Sequence, residues 1–409
     1  MRILYLSTRA AWPVVSGAGL RSYNLARALG TKAELTYVFF TTPGVRSPSS
    51  DEFSFCRELV AIPKPSTYTP AKIVRGLLGR WPLPVLNYTS VEMIEAARKL
   101  LQGHNYDLVH VDSIQLAGCV AALRKELRGA RVMYNWHNIE SELLFRYANT
   151  TPSLPRRVYA RLTARRLKSV EARVLASADG HIVCSERERE ALSARAPKAR
   201  IEVIENGVDT AAFGETEPPS RAPFRLLFVG SMGYHANIDA AVWFTREIWP
   251  EIRRTFPSLR LTLLGSDPTP AVLSLRAAPN VEVTGTVADL APYYREAVAA
   301  VVPLRIGGGT RLKILEAMAG GVPVISTPLG AEGLAVTPGR DILLAETASD
   351  WMSAIASVSD SRNSNCLTKA ARALVVERYE WRMIGQRLVE TYERWMKERR
   401  KTAEGNDAG

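Results

Sequence analysis

The chain has little cysteine and no pattern in what it has. Cys56, Cys119, Cys184 and Cys366 are scattered over 409 residues, with no CxxC pair and no Cys/His cluster at ligand spacing. That excludes a disulfide framework and the usual structural zinc site, and the four read as reduced cytosolic thiols. His104, His110, His181 and His235 likewise have no partner at ligand or triad spacing, although His235 falls in the Gly233 turn, within reach of a phosphate. Asp-x-Asp, HExxH and Walker patterns are missing, so nothing supports a dedicated metal site or ATP hydrolysis. No apolar run approaches the ~18 residues of a membrane span. The opening Arg2-Ile3-Leu4-Tyr5-Leu6-Ser7 reads as a short buried strand and lacks the longer apolar region of a secretory signal. A cytoplasmic protein is expected, with at most peripheral contact to the inner face of the cell membrane.

What the chain has in excess is positive charge. Its formal charge is +12, which suggests an anionic partner without choosing among nucleotide, lipid surface and nucleic acid. Seven bases between Arg156 and Arg173 share one expected helix with Val158, Tyr159, Leu162, Leu167 and Val170, a pattern suited to an anionic membrane and also to an ordinary solvated face. The 46% hydrophobic and 23% charged fractions are those of a globular enzyme, and the length predicts two domains.

Short β-branched runs alternate with segments of helical period, which predicts βαβ units and parallel sheets. The first series has strands at Ile3–Ser7, Leu35–Phe40, Leu59–Ile62, Leu108–Asp112, Arg131–Trp136, Ile182–Ser185 and Ile201–Ile204. The second has Leu226–Val229, Leu261–Leu264, Val281–Thr284, Ala300–Pro303, Val322–Ser326 and Ile342–Ala345. Between them, residues 211–223 lack periodicity and carry Gly214, Pro218, Pro219 and Pro223, the expected linker. The expected domains are therefore 1–210 and 224–376. A helix over 377–400 returns to the first domain, and 401–409 form a frayed tail.

The richest segment is VPLRIGGGTRLKILEAMAGGVPVIS, Val302 to Ser326: strand, glycine loop, helix, strand. Gly307, Gly308 and Gly309 let backbone N–H groups approach a ligand, and the helix from about Thr310 turns its positive end there. Arg311 and Lys313 add charges suited to a diphosphate, and Glu316 offers paired acceptors for vicinal hydroxyls. The same glycines also suit a plain tight turn, and Glu316 also suits an ion pair with Lys313.

This segment resembles the donor site of family 4 of the retaining glycosyltransferases, in a sub-branch with a GGGTRLK form. The likeness extends over Phe228 to Met232, Asn237-Ile238-Asp239, Leu263-Leu264-Gly265, Val283 to Val287, Trp136 to Ser141 and Asn206 to Asp209. It implies a GT-B fold, two Rossmann-like α/β domains facing across a cleft, with the C-terminal one binding a nucleotide sugar. By the resemblance Glu316 holds ribose, Arg311 and Lys313 the diphosphate, backbone near Val287 the base, and Gly230, Ser231 and Gly233 form the first donor-domain turn. Relatives often carry a sugar-reading glutamate eight residues before Glu316, where this chain has Gly308.

In the first half, Gly17 and Gly19 sit in a short loop before a helix expected near Leu20, with Arg21 beside it. The resemblance makes this a wall of the cleft, and an ordinary βα turn fits the residues too. His137 and Asn138 end a strand and are expected against the donor sugar or its phosphate. Asp112 ends another, and suits either an acceptor hydroxyl or a helix N-cap. The implied activity is retaining hexosyl transfer from a nucleotide diphosphate sugar, without metal or cofactor, to a saccharide or lipid-linked acceptor in polysaccharide or glycolipid assembly. His137, Arg311 and Lys313 are the expected catalytic groups. An epimerase or hydrolase of the same fold, or a non-catalytic nucleotide-sugar binder, are the alternatives.

Overall fold

The computed structural model describes residues 1–14, 16–41, 44, 46–213, 225–287, 289–306 and 311–407, with side chains as far as 398. The expected loop Gly307-Gly308-Gly309-Thr310 and all but the first three residues of the expected linker lie outside the described residues.

The chain forms two compact units, one of Met1–Glu205 with the terminal helix from Arg382 onward, the other of Asn206–Trp381. The first holds a parallel sheet of β1 (Arg2–Ser7), β2 (Glu34–Thr41), β3 (Glu58–Pro63), β4 (Leu108–Val111), β5 (Arg131–Asn135), β6 (Gly180–Val183) and β7 (Ile201–Val203). Their order is β3-β2-β1-β4-β5-β6-β7. Helices cover both faces, so these strands read as continuous apolar runs; every residue of β1 after Arg2 is buried.

The second unit repeats the pattern with β8 (Arg225–Val229), β9 (Arg260–Leu264), β10 (Val281–Gly285), β11 (Ala299–Val302), β12 (Val324–Ser326) and β13 (Leu343–Leu344), ordered β10-β9-β8-β11-β12-β13. Each of the thirteen runs expected from sequence is a strand, within two residues at either end. Both sheets reverse strand order once, between β1 and β4 and between β8 and β11. The crevice outside the carboxyl ends of such a pair is where open α/β sheets bind ligands.

The terminal helix spans Trp381–Asp407, so the tail expected from Lys401 is helical through Asp407. Lys401, Ala403 and Glu404 are all good helix formers. Its packing belongs to the first unit: the Tyr392 hydroxyl lies 2.8 Å from His110 Nδ1 on β4, and Trp395 covers Gly180 at the start of β6.

Candidate functional site

In the second unit, Gly230 follows β8 and the helix Leu312–Ala319 follows β11, so the switch point brings them side by side. Gly265, at the end of β9, has φ +151° and packs on Gly230; a Cβ there would stand 1.8 Å from the Gly230 carbonyl oxygen. Gly230 is itself overhung. A Cβ on it would lie 2.7 Å from Asn237 Nδ2 and 2.8 Å from Lys313 Nζ. Gly230 is thus the floor on which two polar side chains rest.

Lys313 Nζ donates to Asn237 Oδ1 at 2.7 Å and sits 4.7 Å above the centre of the Phe228 ring. Asn237 Nδ2 donates in turn to the Ser231 carbonyl at 2.8 Å, which fixes the amide and hence the ammonium. Burial, reinforced by the Arg311 charge and opposed by Glu316, pushes the Lys313 pKa down to about 7. One turn along, Glu316 accepts from the Tyr294 hydroxyl at 3.4 Å, and burial raises its pKa. Tyr294 is buried and closed off by Phe213, ring centres 5.8 Å apart.

Arg311 is buried, with Nη2 donating to the Leu329 carbonyl at 3.0 Å, so part of its fork belongs to the protein. The helices His235–Trp243 and Leu312–Ala319 both begin without a side-chain cap. Asn237 N and Ile314 N donate to the Tyr234 and Arg311 carbonyls at 2.9 Å each, and a helix start that no side chain caps is where an anion is favoured. Gly233 packs against Asp267, and Val287 is half-buried against the core beyond β10. Arg305, after β11, pairs with Asp239 at 2.8 Å and lies 4.9 Å above the Trp243 ring centre.

The first unit gathers a second polar cluster at its own switch point. Ser16 caps the helix Gly17–Gly30, accepting from Gly19 N at 3.2 Å, so the helix starts at Gly17, three residues before the expected Leu20. Arg21 and Asp112, set by the sequence reading against an acceptor, are fully buried. Asp112 accepts from Tyr5 at 3.0 Å and Asn135 Nδ2 at 2.7 Å on one oxygen, and from Ser7 at 3.2 Å and Ser22 at 2.5 Å on the other. Arg21 gives Nε and Nη2 to Asn135 Oδ1 at 2.9 and 2.8 Å, and Nη1 to the carbonyls of Ile204 and Glu205 at 2.7 and 3.0 Å. Both spend these polar atoms on neighbours inside the first unit and act there as supports.

What they support is His137. Its Nε2 lies 3.0 Å from the Asp112 carbonyl oxygen and 3.3 Å from Asp112 Oδ1. Both only accept, so Nε2 carries a proton toward Asp112. Burial would raise the Asp112 pKa, but the imidazoles of His137 and His110 hold it well below the carboxylate range. Next to His137, Asn138 Oδ1 is buried with no hydrogen-bond partner among the described residues, as is Thr8 Oγ1 beyond β1. Asn135, Asn237, Tyr294 and Phe228 were missed as site residues; the only trace of Asn237 was its place in the family-like Asn237-Ile238-Asp239.

Residues 15–212 match the family described as Glycosyltransferase Family 4, and residues 223–361 the one described as Glycosyl transferases group 1. The chain is built from two glycosyltransferase domains. Mycobacterium tuberculosis glycogen synthase is 24% identical over 413 aligned residues, 96% of this chain and 94% of that one. Among solved structures, Thermosynechococcus elongatus sucrose-phosphate synthase superposes with a TM-score of 0.71 at 21% identity, over 96% of this chain and 99% of that one. The Anabaena protein HepE, crystallised with UDP and glucose, gives 0.65 at 16%, over 96% and 99%. These likenesses assign the glycosyltransferase the GT-B fold. Among the described residues, no group of three or more His, Cys, Asp or Glu side chains converges on a metal-sized site, and no helix is long and apolar enough to cross a membrane.

Proposed function

We propose that this glycosyltransferase moves a hexosyl group from a nucleotide diphosphate sugar to an acceptor hydroxyl with retention of configuration, in polysaccharide or glycolipid assembly. The observation that carries the reading is the Lys313 ammonium, held by Asn237 over the Gly230 turn between two uncapped helix starts. A diphosphate there meets N–H groups from both helices and one fixed cation, with Arg311 behind it. Such preorganised donors stabilise charge developing on a leaving group, and in this reading they serve in place of a metal ion.

Glu316 Oε1 is left for the ribose hydroxyls while Oε2 stays on Tyr294. The strand end near Val287 borders the base, and the residue types of Gly307, Gly308 and Gly309 suit close approach of a phosphate. In the first unit, His137, Asn138 and the helix start at Gly17 and Gly19 form a separate set of polar groups suited to sugar hydroxyls. The acceptor oxygen bonds to the anomeric carbon on the face from which the diphosphate leaves, and the departing phosphate takes its proton, so no side chain has to act as base. HepE's complex with UDP and glucose fits a UDP-linked hexose as donor. A membrane-borne acceptor fits the basic helix of the first unit and a peripheral place on the cytoplasmic face.

A thermal-shift panel of nucleotide sugars tests the donor, because a ligand of the folded state raises the melting temperature by mass action. Lys313→Ala and Glu316→Ala should each abolish the shift and cut transfer more than 100-fold. Wild-type transfer by both folded variants sinks the site. Free sugar released without acceptor as the main product would identify a hydrolase, and an inverted anomeric signal in the NMR spectrum of the product would end the retaining reading.

A further inference from the structure

The helix Leu154–Ser177 buries Ala160, Ala164, Leu167, Val170 and Val174 on one side. On the other it exposes Leu154, Val158 and Leu162, one turn apart along one stripe; Leu154 is 65% accessible. Beside it runs the short helix Pro70–Leu78, which exposes Val74 and Leu78, the latter 82% accessible, with Tyr68 just before it. Counting Tyr68, half of the large hydrophobic side chains exposed on the described surface lie on these two helices or just before them. Scattered exposed aliphatics need no explanation, but a cluster of this kind does.

The two helices form one surface. Arg166 donates to the carbonyls of Leu77 and Gly79, and Trp81 lies between two guanidinium groups, Arg80 at 5.2 Å and Arg173 at 5.1 Å from its ring centre. Around the apolar stripe stand exposed Arg75, Arg80, Arg156, Arg161, Arg165 and Lys168, and no Asp or Glu occurs between positions 59 and 91 or 143 and 170.

We propose that this two-helix face docks the enzyme on an anionic lipid bilayer. Leu78, Val74, Leu154 and Val158 enter the interfacial layer, and the arginines engage headgroup phosphates. The proposal deepens, and rests on, the peripheral-membrane reading above. Apolar side chains among bases on a helix lying flat are what an anionic bilayer rewards, through buried area and through charge. A second copy of the chain is disfavoured, since a two-fold contact would set two acid-free basic surfaces against each other. Nucleic acid would use the bases and leave the aliphatics without a partner.

Sedimentation with vesicles of phosphatidylcholine plus phosphatidylglycerol, against phosphatidylcholine alone, tests it on the full chain. Wild type should partition to the anionic vesicles only, and less as salt rises. Leu78→Ser and Val158→Ser should each lower the partition coefficient about tenfold, and Arg161→Glu with Arg165→Glu at least as much. An unchanged melting temperature with the donor panel shows that the variants fold. If wild type binds neither vesicle, the membrane reading and this proposal fail together. If wild type binds and all the variants bind equally, the membrane reading stands and this face is refuted. A wild-type dimer that Leu78→Ser disperses, or equal affinity for duplex DNA, would also overturn it.

Discussion

Lys313 Nζ and Asn237 Oδ1 are 2.7 Å apart, a hydrogen bond between residues 76 positions apart that holds a cation over the Gly230 turn. With its pKa lowered to about 7, that cation is half-charged at neutral pH before any ligand arrives. An incoming diphosphate favours the charged form and raises the pKa again. Donor binding at pH 8 should therefore take up a proton, and affinity should fall as pH rises above 7. Calorimetry in buffers of different ionisation enthalpy reads the uptake, and Lys313→Met should abolish it.

The same lysine makes a stability prediction of opposite slope. Unfolded, its pKa returns to about 10.4, so between about 7 and that value the unfolded chain binds more protons and folding becomes more favourable as pH rises. Below 7 both states hold the proton and the full cost of burying the charge is present. Urea midpoints of wild type, measured against Lys313→Met, should rise from pH 7 to pH 9. A flat difference would contradict the burial.

Gly265→Ala should cost about 3 kcal/mol or more, since it combines a left-handed φ with an impossible approach to the Gly230 carbonyl. Gly230→Ala should cost less, because the ends of Asn237 and Lys313 can move, yet it should weaken donor binding at least tenfold by displacing them. Thermal melts with and without donor separate the two effects.

Glu140 opens the helix after His137, and burial together with the Glu171 charge pushes its pKa up to about 7 from 4.5. The folded state then binds the extra proton between those values, so this group's contribution falls as pH rises from about 4.5 to 7. Glu140→Gln should lack the slope and be more stable than wild type at pH 8. Chemical denaturation at pH 5 and pH 8 checks both statements.

Asp112→Ala should cost about 3–5 kcal/mol, because it strands the donors of Tyr5, Ser7, Ser22 and Asn135 in the core. His137→Ala should leave the melting temperature within about 2 °C of wild type and lower transfer at least 100-fold with little change in donor affinity. Equal losses of stability in the two variants would make His137 a structural residue.

The strands were legible because a parallel strand covered on both faces must be apolar along its whole length, and such runs as Leu226–Val229 need no partner to be recognised. Gly230 and Lys313 were each legible as residue types suited to a phosphate site. Their relation was not, since nothing local says that a lysine on one helix will stand over a glycine 83 positions earlier. Arg21 is legible in sequence only as a base beside a glycine-rich helix start; its carbonyl partners at Ile204 and Glu205 come from the far end of the unit.

By itself the sequence determined the alternation of strand and helix, the two-domain division and the residue types offered at each strand end, because these follow from local periodicity and composition. Only the tertiary structure decided which charges are spent inside the fold, as at Asp112 and Arg21, and which are held ready, as at Lys313. Desolvation depends on what surrounds a group in space, and the groups that surround these come from strands and helices far apart in the chain.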